Sequence, residues 1–194
     1  MIQPLALGGI TYGVSDLELT AAYAAIADGG QYRKPVFYTK VTDSKGNVLI
    51  DNTENKATQV FKASTASLLT NAMEDVLEKG TGVAARLDNM HAAGKTGTTN
   101  EAKDLVFAGF TPYYTAAIWA TYDTHAEFPE SDREFHKRLW AKVMNEIHEG
   151  LADMDFETSA TVQEATICTK TGLLARSSCP SITEYFAVSD LPTE

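Results

Sequence analysis

The chain has no apolar run that approaches the length of a membrane span, and no charged, then apolar, then small-residue leader follows Met1. It has two cysteines, Cys168 and Cys179, so one disulfide is the most it can form, and their spacing fits no zinc pattern. The four histidines are scattered, which leaves no candidate metal centre. Basic residues are scarce: 16 Lys and Arg stand against 26 Asp and Glu, a net charge of -10. A nucleic-acid partner is excluded on that balance, because phosphate binding requires a basic face. Simple electrostatic attachment to anionic lipid is disfavoured for the same reason. Internal repeats and low-complexity linkers are missing too. The 194 residues, with an ordinary apolar share, suffice for one domain with a sizeable core or for part of a larger one.

The most informative stretch is His91-Ala92-Ala93-Gly94-Lys95-Thr96-Gly97-Thr98-Thr99-Asn100. It reads as a short strand of small residues around one lysine, ending in a polar turn. Glycine inside a strand marks a close approach by another backbone or a ligand. Lys95 offers a cation, the threonines offer hydroxyls and a strand edge offers N–H groups, a set able to hold a carboxylate and a carbonyl oxygen under attack. Taken alone, Lys95 would be an exposed lysine guarding a sheet edge; the small residues around it favour a site. Lys-Thr-Gly is one of three signatures of penicillin-binding proteins and class A β-lactamases. The triplet recurs at Lys170-Thr171-Gly172 without the small residues before the lysine or the threonine pair after the glycine, and there it reads as a turn.

Along the chain, Leu5 to Gly13 reads as a loop. Ser15 and Glu18 form a capping box for a helix to about Asp28, whose alanines predict burial, and Gly29-Gly30 supplies a left-handed stop. Lys34 to Thr42 reads as a strand, with a hairpin turn at Ser44 to Asn47 and a return strand at Val48 to Ile50, followed by a polar loop to Lys56. A helix is expected from about Ser64 to Lys79 with Leu69, Met73 and Leu77 on its apolar face, then a Gly80-Thr81-Gly82 corner and a short helical piece to Arg86. Strands at 91–98, 104–110 and 114–122, with short connections, predict an antiparallel meander. A second capping box, Ser131 to Glu134, should open a helix to about Glu149 that covers the meander through Phe135, Leu139, Val143 and Ile147. The tail carries β-prone runs at 160–169 and 184–188. Trp119 and Trp140 are expected in the core, His91 in a structural role, Thr99 and Asn100 in a turn, Asp104 as a local cap or pair, and Thr81 as a helix stop beside the cleft.

The ordered series capped helix, Gly-Gly, Lys-Pro-Val, hairpin, amphipathic helix, Gly-Thr-Gly, Gly-Lys-Thr-Gly-Thr-Thr, Gly-Phe-Thr-Pro and Trp-Ala-Thr-Tyr-Asp resembles the C-terminal half of a class A penicillin-binding protein's transpeptidase domain. The resemblance implies an α+β fold, an antiparallel sheet packed with helices, as part of the penicillin-binding and β-lactamase-like transpeptidase architecture. It implies residues 1–151 as that half-domain and 152–194 as a C-terminal extension. Two family motifs, Ser-x-x-Lys with the nucleophile and Ser-x-Asn, occur nowhere in the chain: no serine has a lysine three places on. Leu105-Val106 also stands where the family usually places a tryptophan beside the phenylalanine that follows.

What the resemblance implies for function is a piece of a peptidoglycan D,D-transpeptidase. Such an enzyme cross-links stem peptides through a serine acyl-enzyme and binds β-lactams. By motif position, Lys95 would supply positive potential and support proton transfer. Thr96 and Thr98 would hold the substrate carboxylate, Gly97 would let substrate lie against the strand, and the Thr98 amide would be one of two oxyanion donors. Lys95 and Thr98 are thus the implied catalytic residues and Lys95, Thr96, Gly97 and Thr98 the substrate-binding ones, with no cofactor and no metal. The implied partners are stem peptides and β-lactams, with a membrane anchor upstream and an extracytoplasmic location, which permits a Cys168–Cys179 disulfide. Without the nucleophile, the chain alone is expected to be inactive. A non-catalytic binding or scaffold module reusing the fold is the alternative.

Overall fold

A computed structural model describes residues 8–10 and 12–193. The expected N-terminal loop, Leu5 to Gly13, lies partly outside them. The first helix, α1, spans Asp16–Ala27. Its capping box is formed as expected: the Glu18 amide donates to the Ser15 hydroxyl (3.3 Å) and the Ser15 amide to the Glu18 carboxylate (2.8 Å). Ala21 and Ala25 are its buried residues, and Gly29 and Gly30 end it at φ of +60° and +90°. A short ladder, β1 (Gln31–Tyr32) with β4 (Thr58–Gln59), follows, and β2 (Lys40–Thr42) pairs with β3 (Val48–Asp51) as the expected hairpin.

The longer strand expected from Lys34 is not formed. Pro35 cannot donate to a ladder, and the backbone oxygens of this stretch are taken by the loop beyond β3. Asn55 donates its side-chain amide to the Lys34 carbonyl (2.9 Å), and Asn52 does the same to the Tyr38 carbonyl (3.1 Å). The segment is therefore fastened by side chains rather than by a neighbouring strand.

The second helix, α2, spans Ala63–Glu78. A 3-10 turn at Val83–Ala85 leads on to the central meander, β5 (Ala93–Thr98), β6 (Asp104–Phe110) and β7 (Thr115–Thr121). All three strands are antiparallel in the order β5-β6-β7, with Lys95 opposite Ala108 and Phe107 opposite Ile118. The third helix, α3, spans Phe135–Ile147, and a terminal hairpin of β8 (Val162–Cys168) and β9 (Ser181–Ala187) closes the chain. Cys168 and Cys179 are bonded across the end of that hairpin, with Cα atoms 5.5 Å apart. Lys170-Thr171-Gly172 is a turn, as expected, with Gly172 at φ +73° donating to the Cys168 carbonyl (2.8 Å).

Side chains alternate across a sheet. Phe107, Ala116 and Ile118 share one face, and there α3 packs, with Trp140, Met144 and Ala141 in one core with Leu77 and Leu87. Phe110 and Ala93 belong to the other face and meet Met73 of α2 and Tyr23 and Ile26 of α1. The sheet thus lies between helices, and α2 runs along β5.

Two expectations about faces and caps are overturned, and a third holds only in part. Phe135, Leu139, Val143 and Ile147 are exposed, at 40 to 46%; the buried side of α3 is His136, Lys137, Trp140, Ala141 and Met144. Gly109 is the reason. A Cβ there would stand 2.8 Å from Trp140 Cζ2, so glycine opens the slot that the indole fills, and the indole turns the helix. On α2 Met73 and Leu77 are buried as expected, but Leu69 is turned out and Ala66 and Thr70 complete the buried stripe. Small residues let α2 sit close to β5, whereas the leucine row would hold it off. Ser131 caps nothing: it lies in a 3-10 turn, Glu130–Asp132, and donates to Asp132 (2.9 Å), while the Glu134 carboxylate is taken by Lys137.

Trp119 is not core either. It stands opposite Val106, 56% exposed, and its indole N–H donates to Asp104 Oδ1 (3.1 Å). Trp140 is buried as expected.

Candidate active site

Strand β5 pairs with β6 alone, so it is an edge of the meander. It begins deep and ends in the open: Ala93 and Gly94 are buried, Lys95 and Thr98 are exposed, Thr96 and Gly97 lie between. The two glycines differ in physical role. A Cβ on Gly94 would lie 2.7 Å from Phe107 Cζ and 2.9 Å from the Ala108 carbonyl, so packing requires glycine there. A Cβ on Gly97 would meet only Val106 Cβ, at 3.4 Å, so packing does not demand glycine there, and its absence leaves a bare backbone beside Lys95.

The Lys95 ammonium folds back along the edge, donating to the Thr96 carbonyl (3.1 Å) and approaching the Thr96 hydroxyl (3.4 Å). The Thr96 hydroxyl also shares a 2.8 Å hydrogen bond with that of Thr81, from the corner between α2 and the 3-10 turn. One cation and two hydroxyls therefore converge at the open end of β5. Such a cluster can bind a carboxylate by charge-assisted hydrogen bonds. Thr81 is more than a helix stop: its hydroxyl belongs to this cluster, although in the sequence it appears only as the middle of a glycine corner. Thr98 is exposed at the end of the strand.

Beyond β5 the turn is fastened locally, as expected for Thr99 and Asp104. The Asp104 amide donates to the Thr99 hydroxyl (2.8 Å), which donates in turn to the Asp104 carboxylate (3.0 Å). Burial opposes the charged form of Asp104, but hydrogen bonds from Thr99 and Trp119 outweigh it and hold the carboxyl below its ordinary range. Asp104 thus secures the exit of β5.

At the other end, His91 is structural, as expected. It ties the approach to β5 to the connector after α3. Its amide donates to Asp153 Oδ1 (2.9 Å), its Nδ1 contacts the same oxygen (3.0 Å), and its Nε2 lies 3.4 Å from Asp155. The Asp153 hydrogen bond raises the imidazole above the ordinary histidine range; burial works against it, and the charges of Asp153, Asp155 and Glu74 add to it. The Asp153 carboxyl is lowered, first by the His91 amide and then by its ring. A raised histidine stabilises fully below its unfolded value, near 6.5, and loses that contribution as pH rises through its folded value. The lowered Asp153 is lost in the opposite direction, as pH falls. The latch is therefore strongest between these limits. With both side chains about half exposed, His91→Gln should cost only about 0.5 kcal/mol near pH 6 and almost nothing near pH 9. Urea denaturation at both pH values checks this.

Among the described residues, no group of three or more His, Cys, Asp or Glu side chains is placed to hold a metal. No helix among them is long and apolar enough to cross a membrane.

Known proteins resemble the chain in sequence and in fold. Residues 3–149 match the family described as penicillin binding protein transpeptidase domain, and residues 159–194 match penicillin-binding protein 1A, C-terminal domain. Penicillin-binding protein 1A of Clostridium perfringens (strain ATCC 13124) is 34% identical over 172 residues, covering 89% of this chain and 20% of the relative. Penicillin-binding protein 4 of Bacillus subtilis (strain 168) is 41% identical over 123 residues, 63% of this chain and 20% of the relative. The sequence thus spans about a fifth of the length of these curated relatives. In fold, it superimposes on penicillin-binding protein 1A from Haemophilus influenzae with a TM-score of 0.79 over 93% of this chain and 33% of that one, at 20% identity. PonA1 from Mycobacterium tuberculosis, solved in complex with penicillin V, gives a TM-score of 0.64 over 72% of this chain and 39% of that one, at 27% identity.

Proposed function

The chain belongs to the penicillin-binding protein transpeptidase family, and from that premise we propose that it forms the carboxylate-binding and oxyanion wall of a peptidoglycan D,D-transpeptidase. The observation that carries the reading is the convergence of Lys95, Thr96 and Thr81 at the open end of an edge strand whose next residue, Gly97, presents bare backbone. Residues 1–151 are read as the C-terminal half of the catalytic domain and residues 152–194 as an extension. The nucleophilic serine, and a membrane anchor holding the enzyme on the extracytoplasmic face, belong to residues outside this sequence.

The chemistry is two acyl transfers. The serine oxygen attacks the carbonyl that precedes the terminal D-alanine of a stem peptide. An ester forms, the peptide C–N bond breaks, and the departing nitrogen receives the proton that the serine gave up. An amine from a second stem peptide then attacks the ester, and the serine regains a proton as the cross-link forms. In this chain Lys95 provides positive potential at the substrate carboxylate and supports proton transfer, and the Thr96 and Thr98 hydroxyls bind that carboxylate. The Thr98 amide donates to the oxyanion, and the donor peptide lies along β5 as an added strand. A β-lactam is held by the same groups as a mimic of the donor.

Incubation with a fluorescent penicillin, followed by a denaturing gel and intact mass, tests this. The isolated chain should carry no adduct, because none of its serines stands in the Ser-x-x-Lys pattern; the full-length gene product should carry one per molecule. A stoichiometric adduct on the isolated chain would overturn the assignment of the serine elsewhere. No adduct on the full-length product would point to a non-catalytic binding module.

A further inference from the structure

Behind Thr81 lies a buried lysine that neither the motif nor the resemblance assigns. Lys137, on α3, is buried, and its ammonium donates to the Thr81 carbonyl (3.1 Å) and pairs with Glu134. That bond draws the Glu134 carboxyl below its ordinary range. His136 beside it is buried, and neither ring nitrogen has a partner among the described residues; burial and the Lys137 charge hold it below the ordinary histidine range. The corner it grips has little freedom: a Cβ on Gly80 would stand 2.8 Å from Val76 Cα, one on Gly82 3.0 Å from the Val76 carbonyl, and the Gly82 amide donates to that carbonyl (2.9 Å).

We infer that Thr81 is a positioning residue, set by the Lys137–Glu134 pair, that fixes the Thr96 hydroxyl as a donor to the substrate carboxylate. The inference rests on the transpeptidase reading. A hydroxyl has one proton to give and two lone pairs. Lys95 can only donate, and at 3.4 Å it takes one side of the Thr96 oxygen. When Thr81 donates at 2.8 Å it takes the other, and the single Thr96 proton is left for an outside acceptor. A carboxylate is the acceptor that uses both that proton and the nearby ammonium. Thr81 thus acts through Thr96, and Lys137 acts through the backbone of Thr81, one step further from substrate.

The test exploits the carboxylate. In the full-length gene product, acylation rates are measured by intact mass with penicillin and with its methyl ester, which lacks the charge. Thr81→Val should slow acylation by penicillin about fivefold, the weight of one hydrogen bond, and leave the ester rate unchanged. Lys137→Met should show the same selective loss, and Thr81→Ser should behave as wild type. Thr81→Ala, with the same expected ratio, keeps the test open if valine is not tolerated. Equal losses on both probes, or no loss on either, overturn the inference alone, since the first is what a structural role would produce. Absence of any adduct on the wild type overturns the transpeptidase reading and the inference together.

Discussion

Lys95→Ala in the full-length gene product is expected to slow acylation by penicillin about a hundredfold to a thousandfold, the range seen when one preorganised electrostatic group is removed from an acyl-transfer site. The serine would remain, but the charge facing the substrate carboxylate would be gone, and with it the group that holds one side of the Thr96 hydroxyl at 3.4 Å. Folding should hardly change. Lys95 is exposed, and among the described residues its side chain makes no salt bridge and hydrogen-bonds only to its neighbour Thr96. Rate and stability are separate readouts on one variant: stopped-flow or mass-resolved acylation for the first, thermal unfolding for the second. A loss of rate accompanied by an equal loss of folded protein would count against a role at the site.

The second large effect is on the core. Trp140→Ala should lower the unfolding free energy of the chain by about 3–5 kcal/mol, the cost of emptying a large aromatic site that cannot collapse. The indole is 1% exposed, meets Phe107 edge-on with ring centroids 4.9 Å apart, and donates to the Ala116 carbonyl (3.0 Å). Removal would leave a cavity above Gly109 and take the indole N–H away from the Ala116 carbonyl. Leu139→Ala, one position away on the same helix but 45% exposed, should be nearly neutral. Urea denaturation of the two variants side by side measures the contrast. Comparable losses would mean that α3 sits on the sheet by its other face.

The pair Leu139 and Trp140 also shows where sequence reading stops. Helix α3 carries two apolar rows, and the four-residue spacing of Phe135, Leu139, Val143 and Ile147 is the more regular. Periodicity says that a face is apolar; it does not say which of two apolar faces meets the sheet. Gly109 decides, thirty-one positions earlier in the chain, by leaving the space that one indole fills. On α2 the small residues Ala66 and Thr70 likewise prevail over Leu69, because close approach to β5 depends on the partner's surface. The outward Trp119 is a third instance, held by a hydrogen bond to Asp104 that no local pattern announces.

Local signals succeeded where the interaction itself is local. The Ser15–Glu18 capping box joins residues three apart, the left-handed glycines after α1 are required by the turn, and connections of a few residues allow only an antiparallel meander for β5, β6 and β7. The motif Lys95 to Thr98 was legible for the same reason: one strand presents it, in consecutive residues. Thr81, Glu134 and Lys137 were not, since they reach that motif across gaps of fifteen or more residues, and a lysine within the run His136-Lys137-Arg138 carries no mark of burial. The sequence alone thus determined the family, the order of the elements and the strand that bears the cation and hydroxyls, because chain neighbours carry those features. Only the tertiary structure decided which helix faces are buried and what stands behind Thr96, because both depend on the shape and charge of a partner that the local pattern does not encode.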